Sequence, residues 1–166
     1  SPTYMSFDVT VTGRGAHAGV EPEKGLSAIR IASEIISDLP DGRLDEETTF
    51  NVGLITGGTV RNAVPVEATF GGEWRSRNTE TVDLLRMQVM ASLQKAREKY
   101  HEAVINEEIQ MLFQMYNLDP NEPVVRLVTT LLKDQRLEPD IKPSGGGTDA
   151  NAMRLNGIDC VVVGMS

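Results

Sequence analysis

Four segments of this 166-residue chain carry residue types that could do chemistry. The first is the small-residue loop around His17, flanked by Gly15 and Gly19. Imidazole titrates near neutrality and can donate a hydrogen bond to a developing oxyanion, so a loop histidine can serve in catalysis. The same pattern also fits a solvent-facing loop histidine, and the residue alone does not decide between the two.

The second and third segments offer an amide and an arginine. Asn62 follows Arg61 in a glycine- and proline-bounded loop, where a ligand contact competes with plain turn chemistry. Arg75 lies on the polar side of a predicted strand, between Glu73 and Arg77. A guanidinium matches a substrate carboxylate bidentately, whereas an exposed strand arginine is often only solvated or paired across the strand.

The fourth segment is the glycine-rich loop Ser144-Gly145-Gly146-Gly147-Thr148-Asp149, which opens a predicted helix. Its backbone N–H groups could bind an anion, and three successive glycines allow close approach of a ligand. No Gly-Lys-Ser/Thr follows, so the loop is not of the Walker type. A tight turn with Thr148 or Asp149 as helix cap is the alternative.

Composition excludes several classes of function. The chain has two histidines, one cysteine and no paired spacing such as HExxH or CxxC, so we expect no metal site built from it alone. A formal net charge of −8 gives no basic surface for nucleic acid or for an anionic membrane. There is no run of 18 apolar residues that would predict a membrane span, and the single Cys160 fits a reducing, cytoplasmic compartment.

The elements that must position these residues follow from hydrophobic periodicity. Strict alternation from Met5 to Val11 predicts a strand with one polar face. Similar patterns predict strands near residues 50–55, 66–75 and 105–113, and helical spacing predicts helices near 22–39 and 79–100. The order strand, helix, strand, strand, helix, strand indicates an α+β, ferredoxin-like two-layer sandwich over residues 1–117, with a four-stranded antiparallel sheet and two helices on one face.

Residues 118–166 have a different pattern, with a helix from Pro123, the glycine-rich loop, a second helix and the apolar run Cys160–Val163. Unbroken apolar strands usually lie inside parallel sheets, covered on both faces. Too few strands remain here to cover one. We therefore expect this segment to be part of a larger α/β domain, and both ends of the chain to be cut from a longer protein.

Five motifs in the same order resemble peptidase T-like tripeptide aminopeptidases, in a superfamily with acetylornithine deacetylase, succinyl-diaminopimelate desuccinylase and carboxypeptidase G. The resemblance covers nearly the whole chain and is carried by segments 13–29, 57–65, 73–76, 144–151 and 157–164. In that family a lid, or dimerisation, domain is inserted into a catalytic domain that holds two zinc ions. The resemblance implies that residues 1–117 are the lid and residues 118–166 a fragment of the catalytic domain.

The resemblance also implies roles for individual residues. His17 is similar to the lid histidine that reaches the active site of a partner subunit, and Asn62 to a second residue delivered across the dimer. Arg75 resembles the arginine that binds the substrate carboxylate, and Gly146, Gly147 and Thr148 resemble a loop that contacts substrate.

The metal ligands of that family lie outside residues 1–166, so we expect zinc in the intact enzyme, none in this chain, and an inactive fragment. The implied partners are a short peptide substrate and a second copy of the chain, paired through the lid. The alternative is a non-catalytic dimerisation or small-molecule-binding module of ferredoxin-like shape, which the periodicity of residues 1–117 alone would fit.

Overall fold

The computed structural model describes residues 1–164 and contains one antiparallel sheet of five strands. The strands, in spatial order β2-β3-β4-β1-β5, are β1 (Thr3–Thr12), β2 (Gly42–Arg43), β3 (Thr48–Gly57), β4 (Glu67–Ser76) and β5 (Val104–Phe113). The α+β class is confirmed, and the four predicted strands are the four long ones. The strand count was one short, because the two-residue β2 exists only through its pairing with β3.

Two helices cover one face of this sheet, as predicted. They are α1 (Ala28–Asp38) and α2 (Thr79–Lys99). Alternate residues of β1 face the helices and are buried. Four aromatic side chains pack together in this core: Phe7, Phe50, Phe70 and Trp74. Burying each of these large side chains stabilises the fold by roughly 1.5–3 kcal/mol. The hydrophobic core of the domain therefore lies between this face of the sheet and the two helices. The opposite face of the sheet carries mainly polar side chains on its central strands, among them Asp8 on β1 and Glu73 on β4.

The first helix starts later than expected. Pro22 begins only a single 3-10 turn, Pro22–Lys24, and Gly25 is extended. Leu26 then pairs with Arg14 through two backbone hydrogen bonds of 2.7 and 2.9 Å. Ser27 accepts a hydrogen bond from the amide of Arg30 and so caps α1. The helix therefore begins at Ala28, because the preceding segment is held in a β-bridge.

The segment from residue 118 onward contains two helices, α3 (Pro123–Asp134) and α4 (Asp149–Leu155). The predicted strand at Cys160–Val163 does not form, and Val162 and Val163 are 51% and 56% exposed. A strand needs a neighbour for its backbone hydrogen bonds, and none of the described residues supplies one here. The strand that this apolar run predicts is therefore not formed within residues 1–164.

Candidate functional site

The loops that carry His17 and Asn62 lie against each other. The amide of Ala18 donates to the carbonyl of Asn62 at 2.9 Å, and the amide of Val64 donates to the carbonyl of Ala16 at 2.9 Å. His17 itself forms an isolated bridge with Ala63. Two segments that are 45 positions apart in the chain thus form one paired surface, with both candidate residues exposed on it.

A backbone hydrogen bond favours one tautomer of the His17 imidazole. Its Nδ1 accepts a hydrogen bond from the amide of Gly19 at 3.2 Å. In the neutral ring the hydrogen is therefore on Nε2, on the side of the ring away from the loop backbone. His17 is exposed, so this nitrogen is available as a donor to a ligand or to another chain.

The glycine before this loop is required by a close backbone contact. Gly13 donates to the carbonyl of Val66 at 2.7 Å, where β1 gives way to the loop. A Cβ at Gly13 would lie 2.0 Å from the carbonyl oxygen of Leu26, which real contacts do not reach. The loop that carries His17 therefore has little freedom at its base.

Arg75 lies on the open face of the sheet and is held on two sides. Its Nε and Nη2 donate to Oε1 and Oε2 of Glu73 at 3.0 and 2.9 Å. Its guanidinium carbon lies 4.2 Å from the centre of the Tyr4 ring, a cation–π contact. These hydrogen bonds raise the pKa of Arg75. Partial burial alone would raise the pKa of Glu73, but the hydrogen bonds from Arg75 and Tyr4, together with the positive charge of Arg75, outweigh the burial and lower that pKa below its usual value.

The glycine-rich loop lies next to Arg75. Nη1 of Arg75 donates to the carbonyl of Gly145 at 3.3 Å. Together the sheet and the loop border a cleft of about 230 Å³. Its lining includes Glu73 on β4, Arg77 just after β4, Arg43 on β2 and Ser144 in the loop. Arg75 and residues 146–148 were expected to contact the same substrate, and Arg75 does contact the loop at Gly145.

The loop is anchored from below by Asn151, a residue that the sequence analysis did not single out. This side chain is 3% exposed. Its Oδ1 accepts from the amide of Thr148 at 3.0 Å, and its Nδ2 donates to the carbonyl of Gln114 at 2.8 Å, just beyond β5. Thr148 is the N-cap residue of α4 and forms a capping box with Asn151, as the helix-cap alternative from the sequence predicts.

The two groups of candidate residues lie at opposite ends of the sheet. Thr12 pairs with Glu67, so the loops of His17 and Asn62 are at one end, and Tyr4 pairs with Arg75 at the other. The strand between them, β4, has ten residues and spans about 30 Å. Within one chain, therefore, His17 and Asn62 cannot touch a short ligand, of about 10 Å, that Arg75 binds directly.

Glu73 and Tyr4 were also not assigned a role from sequence. The available signal was strand periodicity, because residues two apart in a strand share a face, which places Glu73 beside Arg75. Tyr4 could not be found in this way, since its position over the guanidinium depends on the β1–β4 register. No group of three or more His, Cys, Asp or Glu side chains among residues 1–164 is arranged to hold a metal ion. No helix in the same part of the chain is long and apolar enough to cross a bilayer.

Comparison with known proteins gives consistent results. The family model described as peptidase dimerisation domain matches residues 2–101. An uncharacterized protein of Bacillus subtilis, YqjE, is 36% identical over 97% of this chain and 43% of its own length. The crystal structure of aminopeptidase PepT from Bacillus cereus is 31% identical, with a TM-score of 0.82 over 95% of this chain and 42% of that one.

A second solved structure, a tripeptidase from Staphylococcus aureus, is 28% identical, with a TM-score of 0.85 over the same shares of the two chains. The chain thus spans less than half the length of each of these proteins.

Proposed function

The chain belongs to the family of peptidase dimerisation domains, and from this we propose that it is the lid and substrate-binding part of a zinc-dependent aminopeptidase that hydrolyses short peptides. Residues 1–117 are the lid and residues 118–166 are part of the catalytic domain. The likeness to an aminopeptidase and to a tripeptidase supports the reaction class. We place the enzyme in the cytoplasm, where a single cysteine stays reduced.

One observation carries the proposal that the active site is shared between two subunits. His17 and Asn62 are about 30 Å from Arg75 along β4, yet both groups carry residues suited to the same substrate. A homodimer through the lid resolves this separation. Each complete site then takes His17 and Asn62 from one subunit, and takes Arg75 with the loop of Gly146, Gly147 and Thr148 from the other.

The proposed roles follow from the chemistry of each group. His17, with hydrogen on Nε2, donates to the oxyanion that forms when the peptide carbonyl is attacked. Asn62 supplies a second polar contact from the same loop pair. Arg75 binds the carboxylate of the short peptide, and the backbone of residues 146–148 contacts the substrate beside it.

The residues present do not fit a dinuclear zinc centre. Among residues 1–164 the carboxylates and histidines form no cluster of metal-ligand type. We therefore assign the two zinc ions, and the activation of water, to segments outside this chain. Without them the 166 residues have no hydrolytic activity of their own.

The sharing of the site can be tested with two lesions that both lie in this chain. His17→Ala and Arg75→Ala subunits of the full-length enzyme, carrying different tags, are mixed and the heterodimers are isolated. In a shared arrangement one site of the heterodimer carries both lesions and the other carries none, so activity returns. In an arrangement within one subunit every site carries a lesion, and heterodimers without activity would refute the proposal.

A further inference from the structure

The guanidinium of Arg75 has a defined free edge. Of its five N–H groups, the one on Nε and one of the two on Nη2 are directed to the carboxylate of Glu73. One N–H of Nη1 is directed to the carbonyl of Gly145. The edge between Nη1 and Nη2 is left, and Arg75 lines the cleft beside Ser144 and Gly145. A carboxylate can approach this edge bidentately.

We propose that Glu73 and Tyr4 are positioning residues for Arg75, which fix its guanidinium so that a peptide carboxylate binds end-on, to Nη1 and Nη2. Glu73 fixes the rotation of the guanidinium in its plane, because it holds two nitrogens at once. Tyr4 fixes the plane itself, because its ring lies under the guanidinium at 4.2 Å. The end-on binding rests on the proposed function, whereas the positioning does not.

The neighbouring ion pair shows how this geometry differs from an ordinary surface contact. Arg77 donates from Nε and Nη2 to one oxygen of Glu47, at 3.3 and 3.2 Å. The side chain of Glu47 is 48% exposed, compared with 29% for Glu73. The Glu73–Arg75 pair uses both carboxylate oxygens at shorter distances and has the aromatic ring beneath it. Charge neutralisation alone would not require this arrangement.

The packing of Tyr4 extends the arrangement to the glycine-rich loop. The ring of Tyr4 lies 5.9 Å from that of Phe113, its cross-strand neighbour on β5. Phe113 in turn contacts Gly147. The plane of the Arg75 guanidinium and the position of the loop are therefore linked by one series of contacts, from Tyr4 through Phe113 to Gly147.

The first experiment measures positioning without activity. Nitrogen NMR of the chain follows exchange of the Arg75 Nε hydrogen with solvent. In the wild-type protein this exchange is expected to be about tenfold slower than for Arg43, whose Nη1 makes only two contacts of 3.5 Å with backbone oxygens. Glu73→Gln and Tyr4→Leu should abolish the difference, and the matched control Glu47→Gln should not. Equal exchange of Arg75 and Arg43 in the wild type would overturn the positioning role.

The second experiment measures the ligand, using the full-length enzyme with a tripeptide and with the same tripeptide amidated at its C-terminus. Glu73→Gln should raise KM for the free acid about tenfold, leave KM for the amide unchanged and leave kcat nearly unchanged. Glu47 lines the same cleft but does not hold Arg75, so Glu47→Gln should not raise KM for the acid and should leave KM for the amide and kcat unchanged. A lower KM for the acid in Glu73→Gln would show that Glu73 only repels the ligand, and would overturn the inference.

Arg75→Ala separates the inference from the proposed function. If this variant no longer distinguishes acid from amide while Glu73→Gln behaves as wild type, the function of Arg75 stands and the positioning role fails. If Arg75→Ala distinguishes acid from amide as well as the wild type does, the proposed function of Arg75 and the end-on binding both fail. In that case the NMR result alone decides the positioning.

Discussion

Gly147 lies so close to the ring of Phe113 that a Cβ on it would be 2.5 Å from Cδ2 of that ring. The glycine-rich loop is therefore seated directly on the end of β5. Because Phe113 also contacts Tyr4, which lies under Arg75, this one contact joins the loop to the candidate carboxylate site. The glycine is needed for space, and its φ is not in the left-handed region.

Gly147→Ala should therefore displace the ring or the loop. Overpacking of this kind typically costs about 1–3 kcal/mol of stability. Urea unfolding measures the change in free energy. Gly145→Ala is the matched control, because a Cβ there meets nothing within 4 Å. Equal stability of the two variants would contradict the contact.

Asn151→Ala should loosen the loop. The amide of Thr148 and the carbonyl of Gln114 would each lose a buried partner, at a cost of about 1–3 kcal/mol. Hydrogen exchange of the Thr148 amide should become much faster. Asn156→Ala is the control, since Asn156 is exposed and bonds only within its own helix end. Unchanged protection of Thr148 in Asn151→Ala would exclude the anchoring role.

His17→Ala should lower turnover of the full-length enzyme without changing its fold. Removing one oxyanion donor typically costs on the order of 10²–10³ in kcat, or about 3–4 kcal/mol. The ring is exposed, so melting temperature and zinc content should stay the same. His101→Ala is the matched control, since His101 is the other histidine and is also exposed. A turnover loss below tenfold would remove His17 from the mechanism.

Self-association through the lid should depend on the free edge of β3. In the described residues β2 pairs only with Thr49 and Phe50, so the edge from Asn51 onward has no neighbouring strand. Leu54 is 70% exposed there. An unpaired apolar edge favours pairing with another chain, so Leu54→Lys should shift the chain towards monomer in sedimentation analysis. Leu84→Lys on α2, where Leu84 is 62% exposed, should not. A wild-type monomer at high concentration would contradict the expected dimer.

The contribution of Glu73 to stability should depend on pH in a defined direction. Its pKa in the folded protein is lowered from the usual 4.5. The ion pair therefore stabilises the fold fully above pH 4.5, and this contribution is lost as the pH falls through the lower folded-state pKa. Glu73→Gln should destabilise the chain at pH 7, and the difference from wild type should vanish in acid. A difference that is constant from pH 7 to pH 3 would show that the charge of Glu73 is not involved.

Local sequence determined most of the elements of the lid. Alternation in β1 and the spacing in α2 predicted both elements correctly, because each pattern is set by residues that are near neighbours in the chain. The start of α1 was missed. Pro22 suits a first helical turn, but the bridge of Leu26 to Arg14, twelve residues away, keeps the chain extended until Ser27.

Elements that form only through contacts with distant residues could not be predicted from the sequence. The two residues of β2 carry no periodicity of their own, and the apolar run at Val161 to Val163 forms a strand only where other strands are present to pair with it. In the same way, the types and spacing of His17, Asn62 and Arg75 indicated what chemistry these residues could do, but not how far apart they lie in the folded chain. The antiparallel pairing of β1 with β4 decides that the first two lie together and the third lies about 30 Å away. Strand periodicity already places Glu73 beside that arginine. Only the folded sheet places Tyr4 next to the arginine and Asn151 under its loop, because those contacts join residues that are distant in the chain.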